Sequence, residues 1–563
     1  MSTKHRIHEG FFRAKLLGGS IVLGSFLGVI TYIFYLSGWS DMDLIQIARG
    51  GLYVYERAPG MLALAGFGGA FALGWLAWLF AWRPGAARPG DGTDNAVNLR
   101  GQSLATISEI KKRIRRDGTK TRLEIGGVPI PIKVEDRNFL FAGTVGVGKS
   151  QAITRMLDIL QADGHRAVIA DASGIFYSRY AGRDAVLLNP YDRRSVSWSP
   201  LADIDSPEDC AAMARSIVPD GHGNDASWHQ YAQVILDAVL RHVWSSNGTT
   251  GEFVRLATWA STDELREVLP PGPVMALLDP GSERMFSNAR SIIGAHLQPF
   301  SSLDPRAGRD AFSIRRHITD SQGWVFVTYK QSQLAAMKPL IAAAIDVASR
   351  AVLDLPPAVG DRSQQRRTWF ILDEMPLLGR VSSLLTLLTN GSKHGSAVLC
   401  GLQAISSLRA TYGHDDAQTI LSTLGTWLTL RVPDPETAKY MSEAINDEEI
   451  LRTVKSSGKS DGGPSENSQE QYNSRRVVMP SQLQNLPDLR GYLNIAGDFP
   501  VCAVTLPIAE HRPPAAPAFE AAPLRSAVPV PVAAVTGDDD EGDTTTITDD
   551  TPAGADVPFS LER

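Results

Sequence analysis

The chain has 563 residues but only three cysteines, Cys210, Cys400 and Cys502, and no C-x-x-C pair. Neither a disulfide framework nor a cysteine zinc site is indicated, which suits a reducing compartment for most of the mass. No histidine cluster has metal-ligand spacing, no catalytic triad can be picked out, and there is no dinucleotide fingerprint. An excess of positive charge is also missing. The net charge is −6, and residues 512–563 hold ten acidic and three basic residues, leaving the body 51 of the 61 acidic and 52 of the 55 basic ones. Global charge therefore gives nucleic-acid binding no support, although it leaves room for a locally basic pore.

Long apolar runs are present, and both lie near the start. Leu16 to Leu36 is uncharged over 21 residues and Gly60 to Trp82 over 23, each long enough to cross a bilayer. Lys4, Arg6, Arg13 and Lys15 precede the first and Arg83 and Arg88 follow the second; the intervening loop, 37–59, has only Arg49 and Arg57. The positive-inside rule then predicts a two-pass membrane anchor with a cytoplasmic N-terminus (1–15), transmembrane helices at 16–36 and 60–82, a short loop on the far side at 37–59 and a cytoplasmic C-terminus. A cleaved signal peptide fits less well, because the first run is too long and a second follows it.

Residues 83–135 read as a connector. It opens on the Pro/Gly-rich run Arg83–Gly90 and includes the basic stretch Lys111-Lys-Arg-Ile-Arg-Arg116. That stretch suits anionic lipid head groups, nucleic-acid phosphate or a solvated helix face. From 138 onward, short apolar runs at 139–142, 167–171, 185–189, 324–329, 368–373, 397–402, 427–432 and 491–496 alternate with helical patterns, the mark of a parallel sheet covered by helices. Between the third and fourth runs only helical patterns occur, at 206–218, 227–244, 262–269 and 282–297. The expected organisation is an α/β nucleotide-binding domain (136–197 and 317–511) interrupted by an all-α domain (198–316). A polar Ser/Gly/Gln-rich stretch at 453–475 reads as a mobile loop. The Pro/Ala-rich, then acidic, segment 512–563 reads as a disordered tail, either solubilising or a docking segment for a basic partner.

The chemistry is concentrated in Gly143-Thr-Val-Gly-Val-Gly-Lys-Ser150, a complete G-x-x-x-x-G-K-[ST] phosphate loop between an apolar strand and a helix. Glycines let backbone N–H groups curl around phosphates, and the helix N-terminus faces the anion. The set expected to hold ATP is Gly143, Thr144, Gly146, Gly148, Lys149, Ser150 and Gln151, with Lys149 on the β- and γ-phosphates and Ser150 on Mg²⁺. Thr368-Trp-Phe-Ile-Leu-Asp373-Glu374 ends an apolar strand in two carboxylates. Asp373 would hold Mg²⁺ through its water shell, and Glu374 would orient or deprotonate the attacking water. Gln403, at the end of 396–402, is placed to contact the γ-phosphate or that water. Asp171 ends another strand and is a candidate for the same crevice.

With these elements in place, the chain resembles the coupling proteins of bacterial conjugation and type IV secretion, in their TraD/TrwB-like branch. The resemblance runs from the paired spans to about residue 510 and includes Asn189-Pro-Tyr-Asp192, Ile371-Leu-Asp-Glu374, Gly401-Leu-Gln403, Asp434-Pro-Glu-Thr-Ala438 and Arg476-Val-Val-Met-Pro480. It implies a RecA-like P-loop ATPase domain with an all-α insertion, a homo-hexameric ring below the membrane, and DNA-dependent ATP hydrolysis. The implied work is delivery of relaxase-bound single-stranded DNA (the relaxosome) to the type IV secretion channel at the bacterial inner membrane, with 37–59 as a short periplasmic loop. An accessory protein is the candidate partner of the acidic tail if that tail docks rather than solubilises. Lys149, Glu374 and Gln403 are then the catalytic residues, Gln403 the sensor, and Ser150 and Asp373 the metal residues. One position departs from the pattern. Such relatives often carry an arginine in the turn before the Gln strand, and Asn390-Gly-Ser392-Lys393-His394-Gly395 has Ser392 there. Lys393, which lacks the planar fork of arginine, and Arg431 are the alternatives for a group acting on a neighbouring subunit. Two other functions fit less of the chain: a double-stranded-DNA translocase of the chromosome-segregation type, and a membrane docking protein whose ATP site controls assembly.

Overall fold

The computed structural model describes residues 96–182, 184–221, 225–357, 366–460 and 463–523. The expected spans at 16–36 and 60–82, the segments 1–15 and 37–59, and the tail from 524 lie outside the described residues. Among the described residues no helix is long and apolar enough to cross a membrane.

The chain divides into two compact units, 1–101 with 448–475, and 102–447 with 476–563. The first contains β1 (Ala96–Gly101) in a three-stranded sheet with two strands from late in the chain, β12 (Asp447–Ser460) and β13 (Gly463–Arg476), in the order β1-β12-β13. Ala96 pairs with Arg452 and Gly101 with Glu448, antiparallel. The expectation of a loop at 453–475 is therefore corrected to two strands. Their polar composition has no apolar face to announce them, and β12 is paired to β1 some 350 residues away in sequence, which period-based reading cannot see.

The second unit starts before the expected domain boundary. Residues given to the connector form β2 (Leu104–Ala105), the helix α1 (Ile107–Arg116) and the hairpin β3 (Thr121–Ile125) with β4 (Val128–Pro131). Then come β5 (Phe139–Ala142), α2 (Lys149–Ala162), β6 (Arg166–Ala172), α3 (Ile175–Tyr180) and β7 (Val186–Leu188). A helical region follows, with α4 (Pro207–Ile217), α5 (Ala226–Ser245), α6 (Thr250–Thr258), α7 (Thr262–Val268), α8 (Met275–Leu278), α9 (Glu283–Leu297) and α10 (Ile314–Asp320). The sequence pattern missed α6, α8 and α10, which are short. The chain returns through β8 (Val325–Tyr329), α11 (Leu334–Leu353), β9 (Thr368–Leu372), α12 (Leu384–Asn390) and β10 (Ser396–Leu402). It ends with α13 (Ile405–Tyr412), α14 (His414–Thr423), β11 (Thr426–Thr429), α15 (Pro435–Ile445), α16 (Pro480–Gln484), β14 (Arg490–Asn494) and β15 (Val501–Thr505).

Ten strands form one sheet in the order β2-β15-β14-β11-β5-β10-β9-β6-β8-β7. From β11 to β7 every pairing is parallel, whereas β14 runs antiparallel to both β11 and β15, so one flank departs from the expected parallel sheet. The central strands, such as β5, β8 and β9, are predominantly apolar because both faces are covered. Leu140, Val168, Phe370 and Cys400 enter the core shared with α11 and the helical region. Their neighbours Phe139, Ile169, Ile371 and Leu399 enter a second core, which includes α2 and α1. Phosphate loop and carboxylates thus come from strand ends clamped on both sides.

The C-terminal segment also departs from expectation. Residues 512–523, assigned to a disordered tail, lie along the second unit. Ala515 N–H donates to Ser178 O, Glu520 N–H to Asp192 Oδ2, and Ala522 N–H to Tyr191 O. The low-apolarity composition is offset here by main-chain hydrogen bonds to loops already fixed by the sheet.

Candidate nucleotide site

The phosphate loop leaves β5 between its two neighbours: Gly143 N–H donates to Leu402 O at the end of β10, and Thr144 N–H donates to Arg431 O beyond β11. Gly148, the residue before α2, has φ +112°, a backbone that side chains rarely adopt, and a Cβ there would stand 2.7 Å from Leu489 Cδ2. Gly146, at φ +82°, turns the loop. Lys149 opens α2 and is buried, whereas Ser150 is exposed at the same helix N-terminus. Gln151 accepts the Ala509 N–H on Oε1 at 2.9 Å, which ties α2 to the C-terminal segment.

β9 and β10 are adjacent, so the residues that follow them converge on the loop. Glu374 Oε2 accepts from Lys149 Nζ at 2.8 Å and from Gln403 Nε2 at 2.8 Å. Three positions far apart in sequence share one carboxylate oxygen. Asp373 has a buried Oδ1 with no hydrogen-bond partner. Burial raises its pKa, Lys149 lowers it, and Glu374 adds to the rise. An unsatisfied buried carboxylate oxygen beside a phosphate loop fits a hard divalent cation, which takes oxygen ligands and removes the cost of the buried charge.

Asp171 ends β6, the next strand beyond β9, and is fully buried. It accepts the Tyr177 N–H at 2.7 Å, capping α3, while its Oδ1 lacks a partner. Burial pushes its pKa up to about 7, and Asp373 contributes to the rise. Tyr329, at the end of β8, was not found by sequence reasoning. Burial raises its phenol pKa, as do the charges of Asp373, Asp171 and Glu374. Only its position at a strand end on the same edge could have pointed to it.

The turn containing Ser392 precedes β10 and so lies at the amino edge of the parallel strands, opposite the phosphate loop. Ser392 lines a shallow cleft of about 530 Å³ there, with Arg137, Asn138 and Gly497. Lys393 is exposed. Arg431 pairs with Asp488 at 2.7 Å within its own chain.

Sheet order, phosphate loop and converging carboxylates define an α/β P-loop-type ATPase fold carrying a helical region. A family model described as the type IV secretion-system coupling protein DNA-binding domain matches residues 122–507, and the chain belongs to that family. It is similar to the coupling protein TraD of Escherichia coli K12, 26% identical over 437 residues, covering 76% of this chain and 60% of TraD. It is similar also to the conjugal transfer protein TraG of Rhizobium radiobacter, 24% identical over 54% of this chain and 51% of TraG. The chain therefore spans between about half and three fifths of the length of these relatives. The structure of the plasmid coupling protein TrwB in complex with ADP and Mg²⁺ superposes with a TM-score of 0.69 at 29% identity, over 77% of this chain and 99% of that one.

Proposed function

We propose that this chain is the coupling ATPase of a conjugative type IV secretion system. Anchored in the inner membrane by the spans at 16–36 and 60–82, it would recruit a relaxase–DNA complex and drive single-stranded DNA to the secretion channel as a RecA-like homo-hexamer. Family membership and the TrwB complex with ADP and Mg²⁺ support this reading, and one observation carries the chemistry: Glu374 Oε2 receives both Lys149 and Gln403.

ATP on the loop would draw Lys149 from Glu374 to the β- and γ-phosphates, leaving Glu374 free to orient a water in line with the γ-phosphorus. Ser150 and Asp373 would hold Mg²⁺, which would supply neutralisation of the phosphate charge. Gln403, released from the same carboxylate oxygen, would signal occupancy along β10 to the turn at Ser392. DNA would be gripped through its phosphates, without sequence readout.

Lys149→Thr is expected to abolish ATP hydrolysis and plasmid transfer while leaving membrane insertion intact. Transfer at the normal rate with this variant would sink the mechanism. ATP hydrolysis by the full chain that does not respond to added DNA would turn the reading towards a docking protein.

A further inference from the structure

The helix α1 is held in one orientation on the second unit. Thr106 and Glu109 form a capping box at its start, Ile110 and Ile114 are buried, and it packs against β4 and β15. Arg113 pairs with Asp498, and its guanidinium lies 5.8 Å from the Phe499 ring centroid. What remains outward is predominantly basic: Lys112, Arg115 and Arg116 on the helix, at i, i+3 and i+4, and Lys120 just beyond it are all exposed, against two exposed acids, Glu109, which is held by Thr106 in the capping box, and Asp117 at the C-cap. None of the four forms an ion pair among the described residues.

The place of this patch on the sheet selects its partner. Since β14 reverses direction and β15 reverses it again, β15 runs with β5, and residues 498–501 lie at the amino edge. Arg113 pins the basic end of α1 to that edge, away from the phosphate loop at the carboxyl edge. Gln102 and Ser103 bring the chain into the unit at the same edge, where Val501 N–H donates to Ser103 O. The end of the second apolar run, Trp82, lies 25 residues before Ile107. The apolar face of α1 is already buried in the protein, so the helix has nothing left to insert into acyl chains, and only its charges can engage a surface. α1 also precedes the span matched by the family model, which begins at residue 122.

We propose that Lys112, Arg115, Arg116 and Lys120 form a docking face for the anionic phospholipid head groups of the membrane that anchors the chain. This rests on the two-span reading above. Such a contact would hold the amino edge of the sheet against the bilayer and fix the orientation of the second unit, with the nucleotide site facing away.

The test uses the full chain with Ser108→Cys, an exposed α1 position on the patch side; the native cysteines are buried. The chain is reconstituted in vesicles of phosphatidylcholine alone or mixed with phosphatidylglycerol, and alkylation by a membrane-impermeant maleimide is timed. Labelling is expected to slow about tenfold with phosphatidylglycerol and to recover at high salt. K112E/R115E/R116E/K120E should abolish the lipid dependence. The milder K112Q/R115Q pair, expected to halve the effect, serves if the fourfold variant misfolds. Equal labelling rates in both lipids would overturn the proposal. So would protection by single-stranded DNA in phosphatidylcholine vesicles with no effect of phosphatidylglycerol, which would make the face a nucleic-acid surface. Alkaline extraction separates the premise. A chain removed by alkali would refute the spans, and labelling with phosphatidylglycerol vesicles added from outside would then decide the patch by itself.

Discussion

Gly401 leaves β10 no room for a side chain, because a Cβ there would stand 1.6 Å from the carbonyl oxygen of Asp373. The main chain that presents Asp373 and Glu374 is thus pressed against the strand that presents Gln403. Gly401→Ala must displace the Asp373 carbonyl, at a cost of about 1–3 kcal/mol or more. We expect a lower melting temperature and at least a ~10-fold fall in ATP hydrolysis, since a displacement of about 1 Å disturbs a catalytic alignment by that much or more. Wild-type turnover in this variant would show that the carboxylates tolerate the shift.

Glu374→Gln should keep nucleotide binding and lose hydrolysis by about 10²–10⁴-fold, the usual contribution of a general base. Gln403→Glu places a second carboxylate within hydrogen-bond distance of Glu374, where the amide now donates at 2.8 Å. Like charges at that distance repel, which should displace one of the two carboxylates from the site. Both this variant and Gln403→Ala should lower the rate of ATP hydrolysis, the carboxylate more than the alanine. Steady-state ATP hydrolysis measures both, and wild-type turnover in either would show that the Gln403 contact is dispensable.

His165 makes stability depend on acid. Burial first, then the charges of Arg122, Arg367 and Arg366, push its imidazole down to about 3. The ordinary value is about 6.5, so the folded chain keeps the ring neutral while the unfolded chain takes up a proton. The stabilisation is complete above about pH 6.5 and is lost progressively as pH falls towards 3. The ring accepts the Arg367 N–H on Nδ1 at 3.0 Å, a bond the amide oxygen of His165→Asn can also accept. The variant should therefore lose stability less steeply on acidification, a difference on the order of a few kcal/mol at the acid end. Denaturant unfolding at several pH values measures it, and parallel curves for the two proteins would contradict the assignment.

The segment from Ala509 to Ala522 should resist proteolysis. Its anchors are Gln151, Ser178, Arg194 on Pro517 O, and Lys330, whose Nζ lies 3.5 Å from the Phe519 ring centroid. Glu520 pairs with Arg193 and, at 3.5 Å, with Arg194. Glu520→Lys sets a like charge against both arginines and should open the segment to cleavage, seen by mass spectrometry after brief digestion. Equal cleavage in wild type and variant would show that these pairs do not hold it.

The phosphate loop could be read from eight contiguous residues because its chemistry is local: glycine backbone freedom, a lysine and a hydroxyl at a helix start. Asp373, Glu374 and Gln403 were legible as polar residues ending apolar runs, and eight strands of the main sheet as the runs themselves. The strands β12 and β13 were not, since β12 pairs with the distant β1, β13 pairs only with β12, and their sequences are polar without alternation. Nor was the packing of 512–523, whose composition alone resembles a tail. Those features depend on main-chain partners that only folding brings together.

The sequence by itself determined that this chain carries a nucleotide-binding loop, an apolar α/β core and two apolar runs of membrane-spanning length, because each is written in neighbouring residues. Tertiary structure alone decided that Lys149, Glu374 and Gln403 share one oxygen, that the charge of Asp373 reaches Asp171 and Tyr329, and that Gly401 can be nothing larger. Strand order sets those meetings, and no local signal encodes which strand lies beside which.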